Sequence, residues 1–259
     1  MKSILIACLT AMAAVAAWTT SANAQQAGIL QATLAETNQK TGEVSTAELR
    51  RILTDRSATV IDTRAREEFD AGHIPGAWHI DAPPSERINA VERLVNGNKS
   101  AALVLYCNGP FCQASRRFAD ELVAANFTNV RRYQLGIPIW RALGGPTEIE
   151  LSGIARIYGV DRTAVFIDVR DADEYSKGTI PGARNLRPDN LDATIKQMMS
   201  GQLKDAPLPL DDFNRRIVLI GRDAAQARKM ADAMSTRPWH NVTFFSGGVE
   251  MVTDRLKGK

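Results

Sequence analysis

The sequence predicts an α/β protein made of two tandem copies of one module, each a small parallel sheet with helices on both faces. Three observations carry that expectation. Short apolar runs alternate with amphipathic stretches, the pattern of strands buried on both sides and joined by helical crossovers. Val60-Ile61-Asp62-Thr63-Arg64 returns 106 residues later as Phe166-Ile167-Asp168-Val169-Arg170, and in the same register Gly72-His73-Ile74-Pro75-Gly76-Ala77 returns as Gly178-Thr179-Ile180-Pro181-Gly182-Ala183. A later block repeats at an offset of 112, pairing Ala119-Asp120 with Ala231-Asp232, Asn129-Val130 with Asn241-Val242 and Gly136 with Gly248.

The elements follow in order. Lys2, the uncharged apolar run Ile4 to Trp18 and the small-x-small site Ala22-Asn23-Ala24 read as a secretory signal over 1–24, cleaved after Ala24. The run is short for a bilayer span of ~20 residues, so the mature chain is expected to be periplasmic or secreted, with no membrane contact. A segment over 25–42 leads into a first domain at 43–147. There Ser45 and Glu48 have capping-box spacing and open a helix. Ala58 to Ile61 is a short buried strand, followed by a turn rich in Gly and Pro. Ala101 to Tyr106 is a second buried strand, Cys107 opens a loop, and a helix runs from about Ser115 to Ala125. Val130 to Tyr133 is a third strand, closed by a Gly turn and the Trp140 segment. Gly144-Gly145-Pro146 and the acidic residues after it mark a linker, with the boundary at 147–152 and a second domain over 152–259.

Composition narrows the function classes. A hydrophobic share of 44% over 259 residues allows real cores. The net charge of +3, with Lys and Arg scattered among acids, gives no footprint for nucleic acid. No His, Cys or carboxylate cluster has metal-ligand spacing, and no cofactor is called for.

Cleavage removes Cys8 and leaves Cys107 and Cys112. Cys107 ends a buried strand, the place where parallel sheets bind ligands. A cysteine that begins a curved loop leading into a helix sees inward-pointing backbone N–H groups and the positive helix end. Both favour the thiolate and would hold a negatively charged persulfide. Asp-x-Arg at a strand end, Glu-Phe, Gly-His-Ile-Pro-Gly-Ala, an apolar strand running into Tyr-Cys, a helix and a Gly-x-x-x-Trp close together resemble the rhodanese family, twice over. The resemblance implies a compact α/β domain whose loop wraps a cysteine. That cysteine takes sulfane sulfur from a donor such as thiosulfate and passes it to a thiophilic acceptor, a small molecule, a thiol or a protein. The matching residue is Cys107.

The loop Cys107-Asn108-Gly109-Pro110-Phe111-Cys112-Gln113-Ala114-Ser115 departs from that pattern. Gly221 stands 114 residues after Cys107, whereas matched residues beyond the loop are 112 apart, so the first loop is two residues longer than the second. Wider loops in phosphatase and arsenate reductase relatives carry an arginine six residues after the cysteine. Here Gln113 stands there, which argues against phosphoryl transfer. Arg116 and Arg117 follow in the helix. Cys112 lies close enough in sequence for a disulfide with Cys107, and three roles are open to it: resolving the persulfide, protecting Cys107 from over-oxidation, or none.

The second loop, Gly221-Arg222-Asp223-Ala224-Ala225-Gln226, holds no nucleophile, so the second copy is expected to be inert. It would wall the cleft, or bind a partner or anion at Arg222. Tandem relatives usually keep the cysteine in the C-terminal copy, the reverse of this chain. Asp62 and Arg64 have counterparts in the inert copy, Asp168 and Arg170, which argues for a structural ion pair. His73 faces Thr179 in the alignment and reads as part of a turn; Trp78 and Trp140 read as core or cleft wall. Two functions follow: an exported sulfurtransferase with Cys107 as persulfide carrier, or a non-enzymatic binding module switched by a Cys107–Cys112 disulfide.

Overall fold

The computed structural model describes residues 39–257, so the expected signal and most of the segment after it lie outside the described residues. The first copy runs β1 (Gly42–Glu43), α1 (Thr46–Asp55), β2 (Thr59–Asp62), α2 (Arg66–Ala71), β3 (Trp78–His79), α3 (Arg87–Leu94), β4 (Leu103–Tyr106), α4 (Gln113–Ala124), β5 (Val130–Tyr133) and α5 (Gly136–Ala142). The second runs β6 (Thr147–Ile149), α6 (Leu151–Val160), β7 (Val165–Asp168), α7 (Ala172–Ser176), β8 (Arg184–Asn185), a 3-10 turn (Pro188–Asn190), α8 (Leu191–Met199), β9 (Ile217–Gly221), α9 (Ala224–Met234), β10 (Val242–Gly248) and α10 (Val249–Lys257). Both sheets are parallel with the same strand order, β1-β5-β4-β2-β3 and β6-β10-β9-β7-β8. The second sheet begins at Thr147, inside the stretch read as linker.

Local signals explain the elements. The Ser45 hydroxyl accepts from the Glu48 amide at 3.1 Å and starts α1, and Arg56 ends it in the left-handed region at φ 50. The central strand β4 is buried throughout. Its alternation sends Val104 and Tyr106 to the face packed by Leu49, Ile52, Ile137 and Trp140, and Leu103 and Leu105 to the face packed by Val91, Phe118, Leu122 and Phe127. Truncating such a residue, Leu105→Ala for example, costs about 2–5 kcal/mol. Helices α2 and α3 fall in the stretch read only as a Gly/Pro turn: α2 is six residues long, and neither helix has an N-cap residue whose side chain makes a cap bond.

The registers locate the loop difference. Leu103 pairs with Val130 and Ile217 with Val242, so 27 residues separate the paired positions in copy one and 25 in copy two. Between the two preceding strands the surplus is reversed. Thr59 pairs with Leu103 and Val165 with Ile217, spacings of 44 and 52, and the additional residues rim a groove of about 820 Å³ lined by Arg184, Arg187 and Leu203 to Asp211.

The copies dock through α2 and α6. Gly153 lies on the Asp70 carbonyl so closely that a Cβ would collide with it. Ser152 Oγ donates to the Asp70 carboxylate at 2.6 Å, Arg156 to the Glu67 carbonyl at 2.6 Å and Arg216 to the Ala71 carbonyl at 2.9 Å. His73 and Glu148 exchange backbone hydrogen bonds of 2.9 and 2.8 Å. The residue 106 positions before Gly153 is Ala47, so the glycine that makes this contact occurs in copy two and not at the matching place in copy one.

Candidate active site

Cys107 follows the last residue of β4 and is 3% exposed. Its sulfur is joined to Cys112 in a disulfide that spans 6.1 Å between Cα atoms. Cys112 is the N-cap residue of the 12-residue α4, in an extended conformation and without a side-chain cap bond. The predicted helix thus starts two residues earlier than Ser115, directly on the second cysteine.

Backbone geometry sets the curve between the two sulfurs. The Cys112 amide donates to the Gly109 carbonyl at 3.0 Å, and the Ile137 amide donates to the Cys107 carbonyl at 3.2 Å. Gly109 sits at φ 128 and Gly136 at φ 64, values that side chains rarely adopt, and a Cβ on Gly136 would strike Cys107 and Gly109 backbone atoms. Asn108, Phe111 and Gln113 are exposed, Pro110 and Ala114 half-buried, and Ser115 buried with a hydroxyl that has no hydrogen-bond partner. Asn108 Nδ2 donates to Glu68 Oε1 at 2.5 Å, tying the loop to α2.

A buried pair beneath the loop was not anticipated from the sequence. Gln134 Nε2 donates to the Pro110 carbonyl at 2.7 Å and to the Cys112 carbonyl at 3.4 Å, while its Oε1 accepts from Arg132 at 2.7 Å. Arg132 is fully buried and donates further to Thr41 Oγ1 at 2.9 Å and Glu43 at 3.4 Å. The arginine fixes which end of the amide faces the loop. Because C=O and N–H of a trans peptide are antiparallel, pulling those two carbonyls toward Gln134 turns the Phe111 and Gln113 amides the other way. The legible signal was an arginine at an inward position of an alternating strand, which needs polar partners once buried.

The Asp-x-Arg frame is a brace. Arg64 grips Asp62 through Nε and Nη2 at 2.9 and 2.6 Å and donates to the Gly72 carbonyl at 2.8 Å. Burial opposes the Arg64 charge, but the Asp62 hydrogen bond and charge raise its pKa above the ordinary value. Tyr106 Oη donates to Asp62 at 2.7 Å, and burial beside that carboxylate pushes the phenol well above its usual range. Arg170, Asp168 and the Gly178 carbonyl repeat the grip in copy two. Next to this brace a cavity of about 220 Å³ is lined by Arg66, His79, Arg87 and Phe118 among others.

Other singled-out residues lie elsewhere. His73 stacks on Phe69 at 3.8 Å within the seam, with Nδ1 3.1 Å from the Phe69 carbonyl. Trp140 is core, its indole donating to the Pro146 carbonyl at 2.9 Å, whereas Trp78 is 54% exposed. Arg117 is exposed and Arg116 half-buried on α4. Arg222 is engaged by Glu174 at 2.5 and 3.0 Å, so it offers no unpaired charge to an anion. Among the described residues no cluster of His, Cys, Asp and Glu can hold a metal, and no helix is long and apolar enough to cross a membrane.

A family model described as Rhodanese-like domain matches residues 45–143 and again 157–254. Among curated proteins the chain is similar to an HTH-type transcriptional regulator of Mycobacterium tuberculosis, 32% identical over 40% of this chain and 44% of that protein. It is also similar to the thiosulfate sulfurtransferase GlpE of Pseudomonas fluorescens, 28% identical over 34% of this chain and 75% of that protein. Against the solved structure of wild-type EanB the match covers 83% of this chain and 61% of that one, at 20% identity and a TM-score of 0.39. The chain thus spans less than half of the regulator and under two thirds of EanB.

Proposed function

The chain belongs to the rhodanese-like family, one domain in each half, and from that premise we propose that it is an exported sulfurtransferase carrying sulfane sulfur on Cys107. The observation that carries the reading is the setting of Cys107. It directly follows the central strand, its loop turns on two positive-φ glycines, and Gln134 draws loop carbonyls aside so that amides face the opposite way. Such a cradle stabilises a thiolate and then a persulfide without metal or organic cofactor. Thiosulfate, or another small sulfane-sulfur compound, serves as donor, and a thiol or protein as acceptor. The N-terminal apolar run and Ala22-Asn23-Ala24 support export to the periplasm or beyond.

The test is direct. The chain, reduced first, is incubated with thiosulfate and cyanide and then weighed intact. Thiocyanate production by this chain is expected, and an adduct of about 32 Da on Cys107 when Cys112→Ser receives thiosulfate without cyanide; neither product, across several donors, would refute the reading. The Cys107–Cys112 disulfide favours a second reading, a redox-switched binding module without transfer. Cys112→Ser separates the two, since transfer to cyanide survives it under the first and switching is lost under the second.

A further inference from the structure

The two cysteine sulfurs differ in access and setting. Cys107 is 3% exposed, whereas Cys112 is half-buried, next to Phe111 at 75% exposure. Cys112 also sits at the N-terminus of α4, where the first amides lack intrahelical partners and its own side chain makes no cap bond. The positive helix end favours a thiolate at that place. The loop is pinned by Gln134 and by the Ile137 amide, and the disulfide closes within that pinned geometry. With the loop ends held this way, the Cys112 sulfur lies within bonding reach of Cys107.

We propose, resting on the sulfurtransferase reading, that Cys112 resolves the Cys107 persulfide and makes the protein a sulfide-releasing dithiol. The Cys112 thiolate attacks the inner sulfur, on Cys107. The Cys107–Cys112 bond forms, the bond to the outer sulfur breaks, and the electron pair leaves with that sulfur. The proton shed by the Cys112 thiol ends on the departing sulfur, giving hydrosulfide. The sulfane sulfur is reduced to sulfide and the two protein thiols are oxidised to the disulfide, so atoms and electrons balance. An external dithiol reopens the bridge. It attacks the more accessible Cys112, expels Cys107 as thiolate, resolves the mixed disulfide with its second thiol and leaves as its own disulfide. The substrates are thus a sulfane-sulfur donor and a dithiol reductant.

A single-turnover experiment decides it. The full chain, reduced and freed of reductant, receives thiosulfate with no other acceptor, and sulfide, free thiols and intact mass are followed in time. Wild type is expected to release about one sulfide per chain, lose both thiols and end about 2 Da lighter than the reduced form. Cys112→Ser is expected to stop at the adduct of about 32 Da with sulfide release slowed about 100-fold, and Cys112→Ala repeats the measurement should serine disturb the loop. A wild type that holds the adduct and releases no sulfide overturns the resolving role and leaves sulfur transfer standing. Absence of both adduct and sulfide in all three proteins overturns the transfer reading, and this inference with it.

Discussion

Copies one and two end their central strands in the same frame and diverge one residue later. In each, an arginine grips an aspartate at the end of the neighbouring strand and reaches a glycine carbonyl. In each, a glutamate on the following helix holds the residue just past the cysteine position, Glu68 on Asn108 and Glu174 on Arg222. The hydrogen bond from Arg222 keeps the Glu174 carboxyl below the usual carboxylate range. Beyond that point copy two seals itself. Asp223 caps α9 by accepting from the Gln226 amide at 2.9 Å, and Gln226 Oε1 accepts from the Arg222 amide at 2.9 Å. In copy one the cap position is Cys112, which makes no such bond and turns instead to Cys107. The frame is thus structural and persists without a nucleophile, while the proposed chemistry depends on what the loop holds beyond it.

The sharpest way to break that contrast is to move the cysteine. Cys107→Ser is expected to abolish thiocyanate formation, and Gly221→Cys in the same chain is expected not to restore it. A Cβ at Gly221 meets its nearest neighbours at 3.0 to 3.2 Å, so the side chain fits with small shifts. What stays against it is the self-capped loop. Activity from that variant above the Cys107→Ser background would show that capping does not silence copy two.

The next effect is on stability. Gly136→Ala forces a Cβ into Cys107 and Gly109 backbone at φ 64 and is expected to cost about 2–4 kcal/mol in urea unfolding. Its counterpart Gly248 has no positive φ, and a Cβ there meets the Arg222 carbonyl and a Glu250 side-chain oxygen at 2.9 Å. Gly248→Ala should therefore cost about half as much or less. Equal losses would mean that the longer loop is no more tightly seated than the shorter one.

The repeat, the strand alternation and the Cys107 position were legible because each leaves a local or periodic trace. The register spacings of 27 and 25 carry the two-residue surplus that the offsets of 114 and 112 announced. What escaped was held by long-range contacts. Gln134 and Pro110 are 24 residues apart and Arg132 and Thr41 are 91 apart, and no local pattern pairs them. The second sheet's start at Thr147 escaped for the same reason, since β6 is three residues long and its partner β10 lies some hundred positions on. Short elements whose N-cap side chain makes no bond, such as α2, have too little propensity to stand out from turn chemistry.

The clamp under the loop has no equivalent in copy two, where the position matching Gln134 is Ser246, bonded to Glu148. Gln134→Leu keeps roughly the volume and removes the donors, leaving two loop carbonyls and the Arg132 guanidinium short of a partner. A loss of about 1–3 kcal/mol in stability is expected, with transfer from thiosulfate slowed about tenfold. The discriminating readout is the pH profile of Cys107 alkylation in the reduced chain. If Gln134 orients loop amides, the profile moves to higher pH in the variant; a stability loss with an unmoved profile would make the clamp mere packing.

The smallest expected effect concerns His73, present only in copy one. Burial against Phe69 lowers its pKa below the ordinary value, although the Phe69 carbonyl and Glu148 and Glu150, 3.9 and 4.0 Å away, pull the other way. The folded chain thus binds this proton less readily than the unfolded chain, whose histidine titrates near ~6.5. The stabilisation is complete above that pH and is lost as pH falls through the lower folded value. His73→Thr, the residue copy two uses, removes this dependence. Melting temperatures of wild type and variant should differ by a few degrees more at about pH 8 than at about pH 5. A constant difference would mean that His73 holds the seam by stacking and backbone pairing alone, with its charge state immaterial.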